Sequence, residues 1–270
     1  MSMPRFYDRP SLIVRAYDAL NPTSMAGKPS AGDVEFYREL AEQQGGPVLE
    51  LAVGTGRVAF VLAEAGFEVV GLDRSRAMLA MAESKRQAAS PEVARRLTFV
   101  EGDMAGFDLG RTFRLALIPF RSFGNLLTVE AQRACLGAVR RHLDPDGLLA
   151  LNLFDPRLDL CVPDPPGPYP TPRGEAVLPA SGHVVHAEAL ERQNDPLHQT
   201  LREVWRLTER DAGGTLIREE LEELRLRWTY RYELHHLLEL SGLEVVADYG
   251  DLAKGPLAYG GEIVIVARPA

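Results

Sequence analysis

The chain has 270 residues, 46% of them apolar and 25% charged, enough for one large or two small globular domains, which excludes a staple-dependent mini-protein and a chain disordered throughout. Thirty Lys and Arg against 38 Asp and Glu leave a net charge of −8. That balance disfavours a broad phosphate-backbone footprint, so the expected partner is a small molecule and not a nucleic acid.

In chain order, the first stretch reads as irregular until Asp33, which offers an N-cap to a helix carrying Val34, Tyr37 and Leu40 on one face and stopped by Gly45-Gly46-Pro47. From there strand and helix alternate. Residues 48–53 are a short apolar run ending in glycine, 57–65 a helix ended by Gly66, and 68–72 a second strand. Ser75 caps a helix through 89, and strands follow at 97–100 and 113–118. Thr128 caps a helix bearing Leu136, Val139 and Leu143, then Asp144-Pro145-Asp146-Gly147 reads as a turn before a fifth strand at 148–154. This alternation predicts an α/β, Rossmann-like doubly wound, mostly parallel sheet.

The pattern then changes. Seven prolines lie between Pro156 and Pro172, which reads as a stiff linker or lid. Segments 183–192, 200–210 and 215–230 read as antiparallel strands, with Asp211-Ala212-Gly213-Gly214 as a hairpin turn, although Ile217, Leu221 and Leu224 also fit a helix. A stripe of Leu234, Leu237 and Leu238 ended by Ser241-Gly242 gives a last helix, followed by strands at 243–247 and 262–267. The expected organisation is an N-terminal helical lid at 1–46, a core at 47–155, an antiparallel insertion at 156–230 forming a roof and a dimer contact, and completion of a seven-stranded core sheet by 231–270. Cys135 and Cys161 make neither a metal-ligand spacing nor a disulfide framework. Residues 1–10 lack an apolar signal core, and no apolar run reaches the roughly 18 residues of a membrane span. A cytoplasmic protein without membrane contact is expected.

Three motifs carry chemistry. In Val48-Leu49-Glu50-Leu51-Ala52-Val53-Gly54-Thr55-Gly56-Arg57 the glycines let a ligand lie against bare backbone, and the next helix offers free N–H groups. Asp73, 17 residues after Gly56, ends the second strand, where a carboxylate can accept both ribose hydroxyls of an adenosine. Glu101-Gly102-Asp103-Met104 follows the third strand, with a carboxylate for the adenine amino group and Met104 for the ring. Strand tips in succession converge on one crevice. The first motif also fits a dinucleotide fingerprint, but Glu50 inside the strand welcomes a positive ligand group and repels a pyrophosphate.

These residues resemble a class I S-adenosylmethionine-dependent methyltransferase over roughly 47–154 and 232–268. The resemblance implies S-adenosyl-L-methionine as cofactor and S-adenosyl-L-homocysteine as product. It implies cofactor contacts from Glu50, Ala52, Gly54, Thr55, Gly56 and Arg57 at the first tip, and from Asp73, Arg74 and Met78 at the second. Gly102, Asp103 and Met104 serve at the third tip, and Pro119 and Phe120 at the fourth. The insertion resembles, in architecture, that of small-molecule N-methyltransferases, so the expected acceptor is a small molecule with an N, O or C nucleophile. A tRNA or protein acceptor, or a protein that binds the cofactor without methyl transfer, are the alternatives.

The fourth tip, Pro119-Phe120-Arg121-Ser122, lacks the Asn-Pro-Pro-aromatic signature of adenine-N6 and glutamine methyltransferases. Phe120 and Arg121 are expected to border the methyl group, with an ion pair of Arg121 to Glu50 or a neighbouring acid as the alternative. Among Tyr7, Tyr17 and Tyr37, Tyr17 is the expected lid and substrate residue. His183, His186, His235 and His236 are the candidate bases, and no one of them is singled out as catalytic. Arg202, Arg206 and Arg210 share one strand face, either for an anionic substrate or to pair with Glu219, Glu220, Glu222 and Glu223.

Overall fold

The structure is a computed structural model that describes residues 6–22 and 32–270. Buried apolar strands force helices onto both faces of a sheet, and that is the arrangement seen. Strands β1 (Val48–Leu51), β2 (Val69–Asp73), β3 (Leu97–Glu101), β4 (Phe113–Ile118) and β5 (Leu143–Phe154) pair in parallel. Strands β10 (Leu243–Tyr249) and β11 (Glu262–Pro269) complete the sheet antiparallel, in the order β10-β11-β5-β4-β1-β2-β3. Helices α2 (Asp33–Gln44), α3 (Arg57–Glu64), α4 (Arg76–Ala88), α5 (Pro91–Ala94), α6 (Val129–His142) and α7 (Arg231–Leu240) cover the two faces. The chain winds outward from β1 to β3 and returns to β4, so a crevice opens where the winding reverses.

The side-chain oxygens of Ser75 and Thr128 accept from the backbone N–H groups of Met78 and Ala131, as expected of N-caps. Asp33 does not cap. Gly32, at φ 83°, occupies the cap position, and the Asp33 carboxylate turns inward to Arg57. The predicted turn at 144–147 is instead a register irregularity inside β5, facing the interval between Phe113 and Leu115 of β4. The first stretch is not irregular throughout: α1 (Leu12–Leu20) buries Leu12, Ile13, Val14, Ala16 and Leu20. Its first free amide is satisfied from a distance, because Leu12 N–H donates to Glu220 Oε2 at 2.7 Å.

A second sheet has four strands, one more than predicted, in the order β6-β7-β8-β9 and all antiparallel. They are β6 (Thr171–Val177), β7 (Val184–Asp195), β8 (Thr200–Arg210) and β9 (Leu216–Arg227). Strand β6 begins inside the proline-rich stretch, and the helical alternative for 217–224 is not adopted. Helix α1 packs between this sheet and α4, in a core of Leu12, Ile13, Met78, Val185, Ala187 and Leu207. Cys135 is buried in the main core and Cys161 is exposed. Among the described residues no helix is long and apolar enough to cross a membrane.

Gly71 faces Glu50 in the β1–β2 register, and a Cβ there would lie 2.7 Å from Val53 Cγ2. Gly71→Ala is expected to cost about 1–3 kcal/mol by overpacking, read as a lower urea midpoint at unchanged slope.

Candidate functional site

A cavity of about 580 Å³ occupies the crevice. Its floor is made by Ala52 and Gly54 after β1, Asp73, Arg74 and Met78 around the end of β2, Gly102, Asp103 and Met104 after β3, and Phe120 and Arg121 after β4. Tyr7 and Tyr17 close one side, and Arg173, Ala187, Trp205, Leu224 and Leu226 of the second sheet close the top. The three sequence motifs therefore converge on one space.

Asp73 is held in one orientation. Its Oδ2 accepts from Gly54 N–H at 2.7 Å and its Oδ1 from Ser75 N–H at 2.8 Å. Burial raises its pKa above the usual carboxylate range, opposed by those backbone donors. Gly54 has φ +56°, and a Cβ there would find nothing nearer than Met78 Cε at 3.9 Å. The backbone is therefore bare toward the cavity where a side chain would intrude.

Glu50, Thr55, Gly56, Arg57 and Pro119 do not line the cavity but lie behind it. Glu50 is 3% exposed, and its Oε2 has no hydrogen-bond partner. Desolvation pushes its pKa up to about 8, against the attraction of Arg57. Arg57 grips the fully buried Asp33 through two donors, one of them Nη1 at 2.9 Å, and its guanidinium lies 5.1 Å from the centre of the Phe120 ring. Thr55 Oγ1 donates to Asp18 of α1, tying the first loop to that helix.

The fourth tip is held under strain, with Phe120 at φ 56° and Arg121 at φ 61°. Arg121 N–H reaches Asn152 Oδ1 at 3.4 Å, and its side chain pairs with Glu262, through Nε at 3.0 Å among others. The ion pair expected with a neighbouring acid is thus made, with Glu262 and not Glu50. Tyr37 does not belong to the lid: it is fully buried and donates to Asn152 Oδ1 at 3.0 Å. Edge-to-face contacts run without a break from Trp205 through Phe6, Tyr7 and Tyr17 to Phe120, with ring centres 4.9, 5.4, 5.7 and 6.4 Å apart. Burial raises both Tyr7 and Tyr17 above the ordinary phenol range, so both stay neutral at physiological pH.

The histidines lie elsewhere. His183 contacts Glu209, His186 contacts Glu175, His235 contacts Asp248 and His236 contacts Glu239, and no histidine lines the cavity. Arg202 pairs with Glu191 and Glu223, Arg206 with Glu188, and Arg210 donates to Gly214 O, so ion pairing claims two of the three and none lines this cavity. Phe6, Ile13, Asn125, Arg173 and Trp205 are wall residues that sequence reasoning missed. Only Trp205, in an alternating strand, carried a signal that could have flagged it. A second, more open cavity of about 630 Å³ lies beside Pro163, Asp195, Arg202 and Arg225, away from all three motifs.

A family model described as a methyltransferase domain matches residues 48–147, the stretch that builds the floor of the cavity. Residues 48–147 are a methyltransferase domain. A curated relative, the cypemycin N-terminal methyltransferase of a Streptomyces species, is 36% identical over 156 residues, covering 58% of this chain and 59% of that protein. The chain thus spans less than two thirds of the length of the curated relatives it matches. Among solved structures, the CcbJ methyltransferase from Streptomyces caelestis superposes over the full length of both chains, with a TM-score of 0.75 at 28% identity. The glycopeptide N-methyltransferase MtfA, solved with S-adenosyl-L-methionine, covers 88% of this chain and 94% of its own, with a TM-score of 0.56 at 27% identity. The architecture is the class I, S-adenosylmethionine-dependent one. The residues fit that cofactor: a bare glycine turn, an oriented carboxylate facing the cavity and an unpartnered buried carboxylate oxygen behind it.

Because the folded protein holds Glu50 protonated up to about pH 8, against 4.5 for the free side chain, its contribution to stability is complete below about 4.5 and lost as pH rises through about 8. Glu50→Gln is expected to flatten that fall between pH 5 and 8, read from denaturant midpoints across the range.

Proposed function

We propose that the protein transfers a methyl group from S-adenosyl-L-methionine to a nitrogen nucleophile of a small molecule. The observation that carries this reading is the cavity itself, with the Asp73 carboxylate fixed on its floor beneath an unbroken aromatic wall. The names of the relatives favour nitrogen: one is an N-terminal methyltransferase, another a dTDP-amino-sugar N,N-dimethyltransferase of Streptomyces venezuelae.

In this reading the bound cofactor supplies a methyl group already activated by a sulfonium, so the protein's task is alignment and exclusion of water. Asp73 accepts the ribose hydroxyls, Asp103 and Met104 receive the adenine, and Glu50 offers a carboxylate beneath the positively charged end. Gly54 leaves the backbone open to the ligand, with Ala52, Arg74, Met78, Gly102 and Phe120 around it, while Gly56 shapes the loop behind. Thr55, Arg57 and Pro119 hold the loops from behind. Tyr7, Tyr17 and Phe120 present neutral aromatic surface that tolerates a cation and keeps water out. With no histidine on the wall, an amine arriving neutral gives up its proton after transfer, to solvent. Residues 156–230 act as the roof over the acceptor, and α1 as its side wall.

Calorimetric titration is expected to show micromolar binding of S-adenosyl-L-methionine and S-adenosyl-L-homocysteine and none of NAD. In Asp73→Ala, loss of charge-assisted hydrogen bonds weakens binding roughly tenfold to a hundredfold. A preference for NAD, or unchanged affinity in the variant, overturns the reading. Ionisation of Glu50 on binding a cationic ligand is expected to release protons at pH 7. The binding enthalpy would then depend on the buffer's ionisation enthalpy in the wild type but not in Glu50→Gln.

A further inference from the structure

We infer that Arg173 selects the acceptor, and that the acceptor carries an oxyanion, a carboxylate or a phosphate, at the end facing the roof; this rests on the methyltransferase reading above. The starting point is a break in register. In β6, Pro172 stands opposite Glu188 and Gly174 opposite Ala187, so Arg173 is an extra residue with no partner on β7. A bulge of this kind turns a side chain out of the regular alternation, and here it turns a guanidinium into the cavity wall.

That guanidinium is oriented but not used up. Glu203 of β8, 5% exposed, accepts from Nε at 3.3 Å and also from Nη2. The same carboxylate accepts from Trp205 Nε1 at 2.7 Å, and the Arg173 guanidinium lies 5.8 Å from the centre of the Trp205 ring. Two neighbours thus fix the plane of the fork, while Nη1 has no partner among the described residues. A guanidinium offers five N–H donors in fixed directions, and those left over suit the two oxygens of a carboxylate or phosphate.

The other cations at the cavity are ion-paired as Arg173 is, but they stand after β2 and β4, away from the roof. Arg121 is bound to Glu262, and Arg74 stands 3.5 Å from Asp8 at the exposed rim. The floor, by contrast, is acidic, with Asp73 and Asp103. The lining therefore grades from carboxylates at the floor to a guanidinium at the roof, whose partner Glu203 does not line the cavity. An acceptor with a nucleophile at one end and an oxyanion at the other reads that gradient in a single orientation.

The test uses the full chain saturated with S-adenosyl-L-homocysteine and two probes of equal size, phenylacetate and phenylacetamide, followed by quenching of Trp fluorescence. The wild type is expected to bind the carboxylate at least tenfold more tightly than the amide. Arg173→Gln abolishes that preference, and Arg173→Lys keeps part of it. Because Arg173→Gln strands a buried carboxylate, the double variant R173Q/E203Q supplies a neutral pair, and it too is expected to lose the preference while still binding S-adenosyl-L-homocysteine. Equal affinities in the wild type, no binding of either probe, or a preference that survives in the double variant overturns the inference. Failure of the wild type to bind S-adenosyl-L-homocysteine overturns the methyltransferase reading instead, which separates the two.

Discussion

The ion pair between Arg57 and Asp33 is the constraint on which the site depends. Both side chains are buried, the first at the start of α3 and the second at the start of α2, so the pair fastens a helix that precedes the sheet to the glycine loop that follows β1. A charge placed there without its partner would be severely penalised by desolvation, which commits the two elements to one relative position. The same guanidinium touches the face of Phe120 and lowers the cost of an ionised Glu50. Two of the four strand tips are thereby referenced to a single cation. Behind it, Tyr37, Asn152, Glu262 and Arg121 form a hydrogen-bonded line that holds the strained fourth tip in place.

Strain at Phe120 and Arg121 has a counterpart in rigidity elsewhere. Neither residue has the conformational freedom of glycine, and the left-handed pair is secured where Asn152 of the adjacent β5 and Glu262 of β11 hold Arg121. The result is an aromatic ring on the cavity lining that crosses the Tyr17 ring at 77°.

The parallel core was legible because it obeys local rules. Apolar runs too short for helices, glycine at the strand tips and serine or threonine caps at Ser75 and Thr128 are each read from a few adjacent residues. The floor of the site was legible for the same reason, since Asp73 ends a strand and Gly54 and Asp103 closely follow one. What escaped depends on residues far apart in the chain. Helix α1 has no capping side chain of its own, because its amide is satisfied by Glu220, 208 positions away. Strand β6 hid among prolines that are tolerated at a sheet edge, and Asp33 looked like a cap because its true partner, Arg57, lies 24 positions away. Arg121 offered two readings, and only the position of β11 decided between them. Around Arg173 only the flanking Pro172 and Gly174 hint at a bulge.

The long-range cap on α1 also bears on how such proteins diversify. Glu220 belongs to β9, Glu209 of β8 reaches Arg15, and Phe6 N–H donates to the Glu223 carbonyl, so the N-terminal helix is stitched to the second sheet by both side chain and backbone. Two segments separated by the whole parallel core in sequence are thus one body in space. A graft of residues 156–230 from a relative would inherit a sheet without the helix shaped to it, leaving carboxylates buried against nothing. The natural unit of exchange is the sheet together with residues 6–22, a discontinuous module that recombination at a single crossover point cannot transplant.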